Sequence, residues 1–239
     1  RESFGSPQLL RDEQAPDKEM LKYQLEQIHS TTKTRPTKTG IDTLHLHTGR
    51  YATTDAFLNP LHSTATLKTV TNNKTKKVTD SVTITPKKGM TVQVYPGSVF
   101  VKLNPSKLMY GDNLIPITDP EDIYDALLQT EEQCEELGVS IDALSMRVTR
   151  LDLNRTRELP LTFSSYEKVF KDLEYPRMDS THYSNGNVLI ENGSHQISIY
   201  DKGLKNNGKQ SKNIRIEYRM LSSKKVKHRT NIEYAGELI

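Results

Sequence analysis

The sequence predicts an α+β fold with a mainly antiparallel central sheet and flanking helices. Segments with the period-2 apolar alternation of half-buried strands outnumber helical segments. The two kinds do not alternate strictly, as repeated βαβ units would, and no internal repeat is present. A chain of 239 residues with 26% charged and 7% aromatic side chains has a globular composition and enough length to bury a core.

The elements follow in order. Residues 1–16 are polar and aperiodic, as in a flexible terminus. Met20, Leu21, Leu25 and Ile28 mark one side of a helix over 17–29. Residues 30–39, rich in Thr and Lys and containing Pro36, read as a linker. The chain therefore divides into an N-terminal extension, 1–39, and a main domain, 40–239. A strand from Ile41 to Thr48 opens that domain. Between 63 and 95, Leu67–Val70 and Val78–Ile84 alternate as hairpin strands, with turns at Asn72-Asn73 and Lys88-Gly89. Another strand, Val99–Leu103, stops at Asn104-Pro105. Asp119 caps and Pro120 starts a helix in which Ile123, Ala126, Leu127, Cys134 and Leu137 recur at helical spacing, and Gly138 ends it. A strand over Arg150–Leu153 follows. Ser164 or Ser165 is positioned to cap a second helix through Phe170 and Leu173. Strands over Val188–Ile190, Gln196–Tyr200 and Ile214–Met220 complete the pattern.

No apolar run reaches the roughly 18 residues of a membrane span. Residues 1–20 lack the apolar core of a signal peptide. The single cysteine, Cys134, excludes an intrachain disulfide and suits a reducing compartment, so a cytoplasmic protein with no membrane partner is expected. The net charge of +3 says little, but its distribution says more. From Lys202 to Arg229 ten residues are basic and only Glu217 is acidic; Lys68, Lys74, Lys76, Lys77, Lys87 and Lys88 form a second cluster; Asp119–Glu136 is acidic. Such asymmetry suggests one face able to meet phosphates, against the alternative of ordinary solvated loops.

Three strand-like segments each place a reactive residue among basic neighbours: Arg150-Leu-Asp152-Leu, Ile197-Ser-Ile-Tyr200-Asp-Lys202 and Ile214-Arg-Ile-Glu217-Tyr-Arg219. Asp152 lies between Leu151 and Leu153, and Glu217 between Ile216 and Tyr218, so each carboxylate points away from its apolar neighbours. One outcome is cross-strand ion pairing with Arg150, Arg215 and Arg219. The other is a site in which carboxylates hold a divalent cation and a tyrosine attacks a phosphodiester. Tyr200, one of 11 tyrosines, is either a packing residue or that nucleophile. Lys202, at i+2, would share its face and either lower the phenol pKa or hold the phosphate. His45-Leu46-His47 puts two imidazoles on one strand face, as two metal ligands or as a polar pair on an edge strand.

Five stretches, in order, resemble the gene II replication initiators of filamentous bacteriophages and related rolling-circle initiators. They are Ile41-Asp42; Val101 to Asn113, which is similar to Lys-x-x-Pro-x-Lys-x-x-x-Gly-His-Asn; Arg150-Leu-Asp152; Tyr200-Asp-Lys202; and Arg215-Ile-Glu217-Tyr-Arg219. The family's histidine is Asp112 here. The resemblance covers about 40–229. It implies a Rep-like nuclease domain allied to the HUH endonucleases, cutting one strand at an origin through a 5′-phosphotyrosine and later rejoining it. It implies Tyr200 and Lys202 as catalytic residues, and Asp152, Glu217, His45 and His47 as ligands of Mg²⁺ or Mn²⁺, with Asp42 a weaker candidate. Lys102, Lys107, Arg150, Arg215, Arg219, Lys224, Lys225 and Lys227 are the expected DNA contacts. Single-stranded or supercoiled origin DNA, a host helicase and a polymerase are the implied partners, in a bacterial cytoplasm. No Walker loop is present, so helicase activity is not encoded here. Two other readings share these residues: a non-cutting origin-binding protein, and a plasmid mobilisation relaxase, in which the tyrosine usually precedes the histidine motif.

Overall fold

The computed structural model describes residues 39–54, 66–71, 78–113, 116–209 and 211–239. The helix expected over 17–29, most of the linker, the turn at Asn72-Asn73 and Lys74, Lys76 and Lys77 lie outside them.

The chain forms an α+β fold around a ten-stranded sheet in which every adjacent pair is antiparallel. Its strands are β1 (Thr39–Thr48), β3 (Thr66–Thr71), β4 (Val78–Ile84), β5 (Met90–Tyr95), β6 (Ser98–Leu103), β8 (Arg147–Glu158), β9 (Asp179–His182), β10 (Val188–Glu191), β11 (His195–Asp201) and β12 (Asn213–Met220). The spatial order is β3-β4-β5-β6-β1-β8-β12-β11-β10-β9. Two short strands, β2 (Ala52–Thr53) and β7 (Val139–Ser140), pair separately. The helices are α1 (Pro105–Tyr110), α2 (Pro120–Glu136), α3 (Glu167–Lys171), α4 (Lys202–Asn207) and α5 (Ser223–Thr230). None of the described helices is long and apolar enough to cross a membrane.

Period-2 alternation gives the sheet two unlike faces. Leu44, Leu46, Val99, Val101, Leu103, Leu151 and Met220 point to one side and pack with Ile123, Ala126, Leu127 and Cys134 of α2 and Val226 of α5. A second cluster on that side joins Ile199, Ile214, Val188 and Ile190 to Phe163 and Phe170. Burying each such side chain contributes roughly 1.5–3 kcal/mol relative to leaving it in water. The α2 start is as expected: the Asp119 carboxylate accepts the Glu121 N–H at 3.1 Å and Pro120 occupies the first turn. Gly138 follows its end with φ +75.

Two expectations change. Ser164 and Ser165 lie inside a 3₁₀ turn, Phe163–Tyr166, and no side chain caps either that turn or α3, which stops at Lys171. The strand read over Arg150–Leu153 runs twelve residues, Arg147–Glu158, because the charged residues flanking its apolar pair belong to the sheet's polar face.

The pairing of β1 with β8 is interrupted twice. Ile41 faces Leu153 but Thr43 faces Asp152, so Asp42 is an extra residue; near the other end, Thr149 is extra on β8. A bulge of this kind re-aims side chains. It lets Ile41 and Leu44, three residues apart, both enter the core, and it turns Asp42 toward the polar face, where the Thr43 hydroxyl donates to it at 3.2 Å.

Candidate active site

On the polar face, cross-strand register assembles three rows from β8, β12 and β11: Thr156–Arg215–Tyr200, Asn154–Glu217–Ser198 and Asp152–Arg219–Gln196. Two hydrogen-bonded chains run side by side through them.

The inner chain is centred on Arg215, which is completely buried. Its guanidinium donates to Thr156 Oγ1 (2.9 Å), to the Asn113 backbone carbonyl (3.1 Å) and to Asp42 Oδ1 (3.4 Å). Asn154 Nδ2 donates to the same Asp42 oxygen at 3.2 Å. Lys202 Nζ donates to Asn113 Oδ1 at 3.1 Å. Burial, reinforced by the Arg215 charge, pushes the Lys202 ammonium down to about 8.

The outer chain holds the reactive groups. Tyr200 is 3% exposed, and its phenol donates a short hydrogen bond to Glu217 Oε1. Arg219 donates to Glu217 Oε2 through Nη2 (2.7 Å) and Nε (3.2 Å) and reaches Asp152 at 4.0 Å. Arg150 grips Asp152 with two bonds, 2.8 and 2.7 Å. Lys205 Nζ donates to the Tyr200 oxygen at 3.3 Å and lies 4.3 Å from its ring centroid. Burial, then the Glu217 charge and hydrogen bond, hold the Tyr200 phenol well above its ordinary value. Burial pushes the Glu217 carboxyl the other way from its neighbours. The bonds from Tyr200 and Arg219 and the charges of Arg219 and Lys205 outweigh it, so the carboxyl sits below its ordinary value. For Asp152 burial prevails over Arg150 and the pKa is raised.

Lys202 was expected beside the phenol on strand geometry. The strand ends at Asp201, and Lys202 begins α4. The ammonium that meets Tyr200 is instead Lys205, one helical turn on. Asp201 fixes that turn: its carboxylate accepts Gly203 N (2.8 Å), Leu204 N (3.1 Å), Ser211 Oγ (2.6 Å) and Ser211 N (2.7 Å). A Cβ on Gly203 would stand 2.4 Å from that of Ser211, so the close approach requires glycine. An open cleft of about 420 Å³ leads to the phenol, lined by Tyr183, Asn187, Leu189, Lys205 and Arg219.

The expected ligands do not gather. Among the described residues no three His, Cys, Asp or Glu side chains come together in a metal-holding group. Asp152 and Glu217 are each engaged by an arginine. His45 lies opposite Lys102 on one side and Arg150 on the other; burial and those two charges lower it to about 4. His47 meets the Phe100 ring at a 40° tilt, and its pKa is lowered by burial and by Arg147. Among the described residues three buried side-chain atoms lack partners: Asn187 Oδ1 beside the cleft and, on the strands, His45 Nε2 and Asn154 Oδ1. The latter two strand positions are roughly 14 Å apart, too far to share one ion. The side chains as placed do not fit a divalent cation.

The expected DNA contacts also divide. Lys102, Arg150 and Arg219 are on the polar face and reach solvent. Arg215 does not, because its guanidinium is enclosed by Asp42, Thr156 and Asn113. Lys107 sits in the last turn of α1, beside the buried Leu108. Lys224, Lys225 and Lys227 belong to α5, whose Val226 packs into the core on the opposite face, and Lys227 is bonded to Glu233. Tyr218 faces that same opposite side, near His195. Lys205, Asn113, Asn154 and Thr156 were not singled out from the sequence. For Asn154 and Thr156, continuing the Asp152 alternation along β8 carries the signal.

In comparisons with known proteins, no family model and no curated protein matches the chain. A solved structure of a rolling-circle replication initiator protein from Geobacillus stearothermophilus is similar at 14% identity, covering 77% of this chain and 74% of that one, with a TM-score of 0.39.

Proposed function

We propose that this chain is a DNA nicking-joining enzyme in which Tyr200 forms a covalent 5′-phosphotyrosine, the activity of a rolling-circle replication initiator of the filamentous-phage gene II type. The observation that carries the reading is the Tyr200 phenol, donating to the Glu217 carboxylate and receiving Lys205 on the same oxygen, beside a cleft that Arg219 also lines. A second support is that all five stretches resembling those initiators supply a residue to the two adjoining networks: Asp42, Asn113, Asp152, Tyr200 with Lys202, and Arg215 with Glu217 and Arg219.

The phenol is held protonated at neutral pH, so it needs a base as it attacks. Glu217 takes the phenolic proton while the Tyr200 oxygen bonds to phosphorus and the bond to the 3′ oxygen breaks. The departing oxygen is protonated from water in the open cleft and leaves as a 3′ hydroxyl. Lys205 and Arg219 offset the charge on the phosphoryl oxygens. An incoming phosphate competes with Glu217 for Arg219, and that competition raises the basicity of the carboxylate when substrate is in place. Rejoining is the reverse.

The arginines on Asp152 and Glu217 also suit the second reading, a protein that binds DNA without cutting it. One experiment separates the two. The protein is incubated with a 3′-labelled random-sequence single-stranded library, and with supercoiled plasmid, in Mg²⁺, in Mn²⁺ and in chelator. Label retained on the protein in a denaturing gel, and lost in Tyr200→Phe, is the expected result. An adduct that persists in Tyr200→Phe sinks the nucleophile assignment. DNA binding with no adduct under any condition favours the second reading.

A further inference from the structure

We infer that the polar face is a track for single-stranded DNA, running diagonally from Tyr200 to an aromatic platform formed by His47, Phe100 and Tyr95. This rests on the reading of Tyr200 as the point of cutting, and it adds where the rest of the strand lies.

Register defines the route. From Tyr200 on β11 it crosses to Arg219 on β12, two rows along, and to Arg150 on β8, one row further, then to His45 on β1 and Lys102 on β6, which lie opposite Arg150 in register. Beyond Lys102, Phe100 lies opposite His47 with ring centroids 4.3 Å apart, and Tyr95 meets the same phenylalanine edge-on at 5.6 Å. The route covers about 19 Å across the strands and about 20 Å along β8, a diagonal of about 28 Å.

Charge and shape identify the occupant. The carboxylates of Asp152 and Glu217 are 3% exposed, whereas their partners Arg150 and Arg219 are 29% and 23% exposed. The negative groups lie beneath and the guanidinium groups above, so the surface meets solvent as a line of cations ending in Lys102. Guanidinium forks recognise phosphate oxygens. Phe100 is 36% exposed, and an exposed aromatic ring on the polar face is a stacking surface for an unpaired base. A duplex keeps its bases inside and offers nothing to that ring. A single strand offers a phosphate line and free base faces together, which the route requires.

The test measures binding apart from cutting. Tyr200→Phe protein is titrated by fluorescence anisotropy into labelled dT20 and into a 20-base-pair duplex, in chelator. Adding Phe100→Ala is expected to weaken dT20 binding roughly 5- to 150-fold, the contribution of one stacked base, and Phe100→Trp is expected to restore it. Adding Lys102→Ala is expected to lower the salt slope of log affinity by about 0.7. Duplex binding should be weaker and indifferent to Phe100. Unchanged dT20 affinity in Phe100→Ala, or equal dependence on Phe100 for duplex and single strand, overturns the track. Failure of the adduct experiment alongside a strong Phe100 effect would instead remove Tyr200 chemistry and leave the track in place.

Discussion

The two ends of β12 carry the same residue on the same face and use it for opposite ends. Arg215 and Arg219 flank Glu217 symmetrically in sequence. Arg215 is wholly enclosed, its guanidinium satisfied by Asp42, Thr156 and the Asn113 carbonyl. Arg219, two rows further along, is satisfied by Glu217 and Gln196 yet keeps a solvent-facing edge beside the cleft. What differs is the cover above each row. Asn113 and Lys202 close over the first, and the second opens to solvent. The inner end acts as framework and the outer end is left able to exchange partners.

The largest expected effect comes from the framework end. Arg215→Met leaves Asp42 buried without its cation and should destabilise the fold by roughly 3–5 kcal/mol, read as a lowered urea midpoint. A loss below about 1 kcal/mol would mean that the inner chain is not what holds the strands together. At the outer end, Glu217→Gln keeps the shape and removes the base. Single-turnover adduct formation should fall by roughly 10²- to 10⁴-fold with the fold intact. Adduct formation at the native rate would transfer the base to another group.

A smaller effect is set by Lys202. Its folded pKa of about 8 lies below the ordinary value of 10.5. Between those values the unfolded chain binds more protons, so stability climbs with pH across that window and the cost is fully present below about 8. In Lys202→Met the climb should flatten, measured as the difference in urea midpoints from wild type at successive pH values. An identical climb in the variant would place the titration elsewhere. The smallest effect is expected on the reverse face. Alanines at Lys224, Lys225 and Lys227 together should leave the salt slope of single-strand binding unchanged, whereas Lys205→Ala should reduce it by about 0.7. A slope flattened by the α5 variant would put DNA on the helical face.

Much of this comparison is legible in the sequence, and the rest fails for identifiable reasons. Alternation alone places Asp152, Tyr200, Glu217 and Arg219 away from the apolar neighbours of their strands, and the fold class follows from the same pattern. Alternation cannot say what covers a face. Arg215 and Arg219 therefore look equivalent until Asn113 is seen arriving from a distant loop. Placing Lys202 on the strand continues β11 one residue too far: the Asp201 cap, signalled only by the following Gly203, turns the chain into a helix and hands the phenol to Lys205. The basic run from Lys202 to Arg229 reads as one patch, but β12 passes through the sheet between its two halves and α5 packs on the far side. His45 and His47 do share a strand face as spacing requires. Their surroundings, Lys102, Arg147 and Arg150, come from strands whose register a single sequence does not reveal.

The extra residue in β1 gives the site one carboxylate. Asp42→Ala would take one carboxylate from Arg215 and leave every other side chain where it is. Deleting Asp42 outright removes the bulge and restores strict alternation in β1. Ile41 stays opposite Leu153 and Thr43 opposite Asp152, so the apolar side chains keep their face and only the carboxylate is lost. At the inner end of the site the shortened strand and Asp42→Ala therefore come to the same loss. The deletion and Asp42→Ala should lower the urea midpoint by similar amounts, and a much larger loss in the deletion variant would show that the bulge itself sets the strand faces.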